Sequence, residues 1–257
     1  MSDASWVNSI ERRIQRFCRD HALAYKKTER ELSASFEIGC LHLLTNNYSE
    51  RGTLELQNLD DGSFKYLTTP AGNPNNFSWI KVTIGDQEFQ LRQQVRIRSH
   101  LDNDIAFTPD IVVLLGSAVV NEIKDKDFAN GKKRFFNVTS DAVVAAHECK
   151  SLVPFPELLI SFIGALIAAH TWFDPASNSD IEEPGDHLAP TLFVGGSTNA
   201  IQRRMVKALE RVYPINILTG LHDTQRRLEN DESDLRYISL KSAGHSGTDD
   251  DGEAEAE

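Results

Sequence analysis

Residues 141–152 read Asp-Ala-Val-Val-Ala-Ala-His-Glu-Cys-Lys-Ser-Leu. Small and branched apolar residues, Val143 to Ala146, lead through His147 into Glu148, Cys149 and Lys150. The run is short and partly β-branched, and Pro154 and Pro156 soon stop it, so it predicts an interior strand rather than a helix. Residues two apart on a strand share a face. Glu148 and Lys150 therefore point the same way at the end of an element that is otherwise core. Glu and Lys are rarely buried without a partner or a chemical role. The remainder of the chain is read for what would complete such a charged pair.

The 257 residues suffice for one domain of moderate size, and 40% hydrophobic with 25% charged residues is ordinary for a soluble globular protein. Residues 1–243 are expected to form a single domain and 244–257 a disordered acidic tail. That tail holds six carboxylates and no Lys or Arg, so it carries six of the eleven surplus negative charges. A mildly acidic body argues against a protein coated in basic surface, yet leaves room for one basic groove or a metal site on a polyanion. Three cysteines, Cys18, Cys40 and Cys149, are too few and too odd in number for a disulfide framework and lack zinc-ligand spacing. With a polar, mixed-charge opening from Met1 to Asp20, they predict a cytoplasmic protein. Phe155 to Phe173 is the most apolar segment, but Glu157, Ser161 and His170 interrupt it, and it reads as a buried helix rather than a membrane span.

In chain order, Ser5 to about Asn47 predicts two helices, with Ile10, Ile14 and Phe17 at helical spacing, and then Phe36, Cys40 and Leu43-Leu44. Thr28 and Glu31 mark the restart between them. From Thr53 the period drops to two: Leu54 and Leu56 face Phe64 and Tyr66 across an Asp60-Asp61-Gly62 hairpin signal. A second hairpin joins Trp79–Ile84 to Phe89–Ile97 around Gly85-Asp86. Arg92, Arg96 and Arg98 share one parity on its second strand and form a candidate platform, although such alternation usually marks a solvated face. Thr108-Pro109-Asp110 opens a strand running from Ile111 to Leu115, since proline is tolerated at a strand start and not within a central strand. Asn121 to Ser140 is polar and holds Lys132, Lys133 and Arg134, a solvated loop or a basic flap over a nucleic-acid backbone. Helix over Pro156–His170, strand over Thr191–Val194, helix over Thr198–Tyr213 and strand over Ile215–Leu221 complete an α/β fold: a mixed central sheet flanked by helices, with extra N-terminal helices and hairpins. Gly195-Gly196-Ser197-Thr198 lacks the lysine of a phosphate loop and reads as a turn.

Asp110 at one strand start and Glu148 on another can together hold Mg²⁺, a cation that prefers carboxylates and water and keeps positions open for phosphate. Lys150 adds a point charge beside the phosphate or the attacking water, as orienter or proton acceptor. Pro109-Asp110 and Glu148-Cys149-Lys150 resemble the signature of the PD-(D/E)xK nuclease superfamily, the restriction-endonuclease-like fold. The resemblance spans roughly residues 30–221 in architecture and five residues in motif. It implies a core of helix, three antiparallel strands, helix and strand. It also implies that Asp110, Glu148 and Lys150 are catalytic and that Asp110, Glu148 and a glutamate of the first helix, here Glu37, hold Mg²⁺ or Mn²⁺.

An acid-x-Lys triplet arises by chance in most chains of this size; context distinguishes this one. Glu122-Ile123-Lys124 is the rival, nearer to Asp110 and following Val119-Val120, but a polar, basic stretch follows it where the family places a helix. Choosing Glu148 and Lys150 implies an insertion that contains the basic loop. Each residue also has a structural reading: Asp110 as a turn residue, Glu37 as a local ion-pair partner, and Glu148 with Lys150 as a sheet-edge ion pair. His147 and Cys149 face away from Glu148 by parity and read as core.

The resemblance implies a metal-dependent endonuclease acting on DNA (RNA is an open alternative), in restriction or antiviral defence or as the nuclease subunit of a larger complex. Cutting both strands from a single-site enzyme calls for two copies, so a homodimer is expected. The competing expectation is a nuclease-like fold with an inactive site, kept as a binding or assembly module.

Overall fold

A helix that buries almost its whole circumference organises the computed structural model, which describes Arg12 and residues 32–70, 72–102, 104–122, 136–170, 173, 185–222 and 235–240. This helix, α1, spans Leu32–Ser49. Phe36, Ile38, Leu41, Leu44 and Tyr48 are buried along it, and so are the polar Glu37, His42, Thr45 and Asn47. A helix enclosed on all sides must satisfy its polar groups internally. His42 Nε2 bonds the Tyr66 hydroxyl at 2.8 Å, Asn47 donates to the Tyr237 hydroxyl at 2.8 Å, and Tyr48 reaches His187 Nδ1 at 3.2 Å. The helix ends where Arg51 and Gly52 donate back to the Tyr48 carbonyl.

Strands β1 (Thr53–Gln57), β2 (Trp79–Ile84) and β3 (Gln87–Gln93) form an antiparallel meander. The hairpin expected around Gly85-Asp86 is present. The one expected around Asp60-Asp61-Gly62 forms only its turn, with Asp61 and Gly62 at φ 48° and 75°. Beyond the bridge between Asp60 and Ser63, Phe64 to Leu67 is not a strand, and β1 pairs with β2 instead. Side chains replace the ladder there: Lys65 N–H donates to Ser78 Oγ and Leu67 N–H to Gln93 Oε1. The long strand expected from Phe89 to Ile97 is also broken. Gln94 has φ +53°, which turns the chain out of the sheet, and β4 (Arg96–Arg98) belongs to a second one. Arg92 therefore does not share a strand with Arg96 and Arg98, and the expected three-arginine platform is not formed.

After β5 (Ala106–Phe107) the Pro109-Asp110 start leads into β6 (Ile111–Leu115), as expected. Two short strands, β7 (Asn121–Glu122) and β8 (Phe136–Val138), precede β9 (Val143–Lys150). Helix α2 (Pro156–Ala169) follows, then β10 (His187–Leu188), β11 (Thr191–Val194), helix α3 (Ala200–Val212), β12 (Asn216–Leu218) and β13 (Tyr237–Ile238). The main sheet runs β1-β2-β3-β6-β9-β11-β12; its first five strands are antiparallel neighbours, and β9, β11 and β12 run parallel. Parallel pairs need crossovers, and α2 and α3 lie in the two connections. A four-stranded sheet, β5-β4-β8-β7, and the β10-β13 pair are separate, and the sequence reading had neither.

The sheet is buried on both faces, which is why β6 and β9 read as near-continuous apolar runs. Ile111, Val113 and Phe193 pack with α1, whereas Val112, Leu114, Ala146 and Leu192 pack with Leu159, Phe162 and Leu166 of α2. Each such side chain stabilises the fold by roughly 1.5–3 kcal/mol. Among the described residues no helix is long and apolar enough to cross a membrane. Residues 5–31 (Arg12 excepted), the stretch carrying Lys124, Lys132, Lys133 and Arg134, and the acidic tail lie outside the described residues.

Candidate active site

Register places the charged residues. Ile111 pairs with His147 and with Gln93 across the two ladders that flank β6. One step beyond, at the mouth of the sheet, Asp110 lies between Gln94 and Glu148 in a single row. The Gln94 N–H donates to the Asp110 carbonyl at 3.1 Å, which confirms this row on the β3 side. Pro109 has no N–H to leave unpaired at that end, and the Asp110 side chain turns to cap the neighbouring strand: Oδ2 accepts the Cys149 N–H at 2.7 Å.

Lys150 joins the carboxylates. Its Nζ lies 3.0 Å from Asp110 Oδ2 and 2.6 Å from Glu148 Oε2. Glu37 approaches from α1, where Ser33 Oγ donates to its Oε1 at 3.4 Å. The Gln94 amide completes the set, its Nε2 donating to Glu37 Oε2 at 3.2 Å and to Asp110 Oδ1 at 3.0 Å. Four elements thus supply one cluster: α1, the β3–β4 break, the start of β6 and the end of β9. Three carboxyl groups face a single ammonium, and Glu37, Gln94 and Asp110 are all buried.

The electrostatics follow first from burial and then from that imbalance. Burial, reinforced by the Asp110 charge, pushes the Glu37 carboxyl up to about 8. Burial and then Asp110 likewise raise Glu148 to about 7, against the opposing pull of Lys150. For Lys150, burial acts to lower its pKa, but the Glu148 and Asp110 carboxylates outweigh it and hold the ammonium charged above its ordinary range. Facing these carboxylates, Lys150 is held as an ammonium at neutral pH.

The expected residues divide cleanly. Asp110, Glu148, Lys150 and Glu37 come together. Glu122 lies on β7, in the four-stranded sheet rather than beside β6, so the rival triplet does not share Asp110's ladder; Lys124 is outside the described residues, as are Lys132, Lys133 and Arg134. His147 is fully buried, packs its ring near Phe193 and stays out of the cluster; burial lowers it to about 3. Cys149 is buried and free, as read. Gln94 is the residue that sequence reading missed. Nothing in Gln93-Gln94-Val95 marks a left-handed turn, because that conformation is rare outside glycine and asparagine and its cost is met here by tertiary bonds.

Among the described residues no three His, Cys, Asp or Glu side chains are grouped to hold a metal ion on their own. The donor set nevertheless suits a hard divalent cation, which commonly takes one or two carboxylates and completes its shell with water and phosphate oxygens. Asp110 and Glu148 are the two carboxylates that could serve, and Glu37 and Glu148 are raised first by burial and then by the Asp110 charge. Comparison of the chain with protein-family models, with curated proteins and with solved structures finds no match.

Proposed function

We propose that this protein is a metal-dependent endonuclease that hydrolyses DNA phosphodiester bonds at the Asp110–Glu148–Lys150 cluster. The observation that carries the reading is the meeting of Lys150 Nζ with both carboxylates, 3.0 and 2.6 Å away, at the open end of adjacent strands. The order α1, antiparallel β3-β6-β9, α2 and parallel β11 supports it further, being the order that the PD-(D/E)xK resemblance implies. In this reading Asp110 and Glu148 hold Mg²⁺ or Mn²⁺, with Glu37 behind them through Gln94. The cation, when bound, neutralises charge on the phosphate and makes a bound water a better nucleophile. Lys150 contributes a positive charge beside the phosphate oxygens that gain charge during attack. Asp110 is oriented by the Cys149 N–H, which donates to its Oδ2.

A second reading has one observation in its favour. Lys150 already partners two of the three carboxylates, and the acidic side chains alone do not make a three-acid metal group. On that reading the cluster is a structural ion triad in a binding or assembly module. Supercoiled plasmid incubated with Mg²⁺ separates the two. The nuclease reading expects nicking by the parent, about 10²–10³-fold slower nicking by Lys150→Ala, and none without divalent cation. Equal, absent nicking by parent and variant, with DNA of either strandedness or RNA as substrate, overturns it in favour of the module.

A further inference from the structure

Arg92 is a half-buried arginine that pairs with no carboxylate among the described residues. It lies on β3 opposite Val112, two rows in from the row that holds Gln94, Asp110 and Glu148, and on the face that alternation along β6 gives Asp110, since Val112 and Asp110 are two apart. Its guanidinium carbon sits 4.5 Å from the centroid of the Trp79 ring. Trp79 faces it from β2, one step past the Ile80–Leu91 pair. Arg92 Nε donates to Gln90 Oε1 at 2.7 Å, and the Gln90 amide is itself anchored at 2.9 Å to the carbonyls of both Gly116 and Ala118. The group is therefore held flat by an indole and aimed by a fixed amide.

Neither Trp79 nor Gln90 carries charge, and among the described residues no carboxylate pairs with Arg92. Lys81 takes Glu88, and Lys150 takes Asp110 and Glu148. Burial alone lowers the guanidinium to about 10, with no anion opposing it. Arg92 is half-buried, and the stack on Trp79 together with the Gln90 bond holds it in place without a carboxylate. Arginine held by stacking, with its outer N–H fork unused, is the arrangement that takes a phosphate in two parallel hydrogen bonds.

We propose that Arg92, laid on Trp79, binds a backbone phosphate of the nucleic acid, a neighbour on the same strand of the phosphate attacked at the Asp110–Glu148–Lys150 cluster. The proposal rests on the nuclease reading for the identity of the strand. One strand separation and two residues of rise set Arg92 back from Asp110 by about 8 Å along the face, which a flexible phosphodiester chain spans within a nucleotide or two. The site positions substrate and does not read its sequence.

The test measures binding of a labelled DNA duplex to the full chain in Ca²⁺, which supports binding without turnover, across a series of salt concentrations. Arg92→Gln is expected to weaken binding and to lower the slope of log K against log[salt] by about one, the loss of one phosphate contact. Arg92→Lys is expected to keep the slope and regain part of the affinity, since charge returns without the fork. The thermal midpoint of Arg92→Gln is expected to stay within a few degrees of the parent's, since only a stack on Trp79 and one bond to Gln90 are lost; this separates lost contact from lost fold. An unchanged slope and affinity in Arg92→Gln overturns the proposal. Should the parent bind no duplex, titration with inorganic phosphate decides, read as the fluorescence change that Trp79→Phe abolishes. A response absent from Arg92→Gln then supports the anion site while the nuclease reading falls, and no response in the parent overturns the site.

Discussion

Glu37 shows how one side chain reports on the whole cluster. Its carboxyl is raised from 4.5 to about 8, first by burial and then by Asp110. Below pH 4.5 the folded and unfolded chains both keep the proton, and the group is neutral in its effect on stability. As pH rises toward 8 the unfolded chain releases the proton and the folded chain retains it, so the folded state loses ground and the full loss is present above pH 8. Glu37→Gln keeps an acceptor for the Gln94 amide and removes the ionisation. Metal-free Glu37→Gln is accordingly expected to be more stable than the parent by about 1–3 kcal/mol near pH 8, with the gain shrinking to nothing as pH falls toward 4.5; chemical denaturation at a series of pH values measures this. Lys150 works in the opposite sense. Lys150→Met leaves Asp110 and Glu148 without their counter-charge and is expected to cost about 1–3 kcal/mol at pH 7, less at pH 5, where Glu148, raised to about 7, holds its proton. At Gln94 the backbone is left-handed and the amide joins Glu37 to Asp110. Gln94→Gly relaxes the backbone but drops the bridge, whereas Gln94→Leu strands two buried acceptors. Leu is expected to be the more damaging, as unfolding midpoints of the two variants will show.

At the level of single elements, the strongly patterned ones form where they are expected. Pro109-Asp110 before five apolar residues becomes β6, Val143–Lys150 becomes β9, and Pro156 opens α2, because each pattern is local and has one burial that satisfies it. The errors fall where backbone partners come from far along the chain. The Asp60–Gly62 turn is real, but β1 finds its ladder in β2, since Ser78 and Gln93 satisfy the chain after the turn. The β3–β4 break depends on a residue with no intrinsic preference for it. Helix α3 is the least buried of the long elements and leans on its ends: Asn199 Oδ1 accepts from Ile201 and Gln202 N–H at 2.9 Å, and Gln202 Oε1 accepts the Asn199 N–H at 2.7 Å. Among the described residues no hydrogen bond joins this capping box to the carboxylate cluster, although both lie at the C-terminal ends of β9 and β11. Asn199→Ala is expected to lower stability by about 1 kcal/mol while plasmid nicking at a temperature well below unfolding stays at the parent rate.

For the whole molecule, a cation that binds the folded chain alone must stabilise it. Saturating divalent cation, at roughly a hundred times its dissociation constant, is expected to add about 2.7 kcal/mol of unfolding free energy to the parent and little to Asp110→Asn. Differential scanning calorimetry with and without Ca²⁺ measures the difference, and a parent unmoved by cation argues for the structural triad. Binding is also expected to release protons near pH 7, from Glu37 and Glu148 whose carboxyls titrate at about 8 and 7. Calorimetric titration in two buffers of different ionisation enthalpy counts those protons.

Periodicity and punctuation along the chain were enough to establish an α/β protein with a large mixed sheet, and to single out Asp110, Glu148 and Lys150, whereas Glu37 was named only through the PD-(D/E)xK resemblance. Strand alternation and proline's missing N–H act within a few residues, so they are legible without coordinates. The sequence could not show that Gln94 joins Glu37 to Asp110, that Arg92 rests on Trp79 apart from Arg96 and Arg98, or that Glu122 falls in another sheet. Those facts depend on ladder register between strands and on one left-handed residue, both settled by the free energy of the packed molecule and not by any short segment of it.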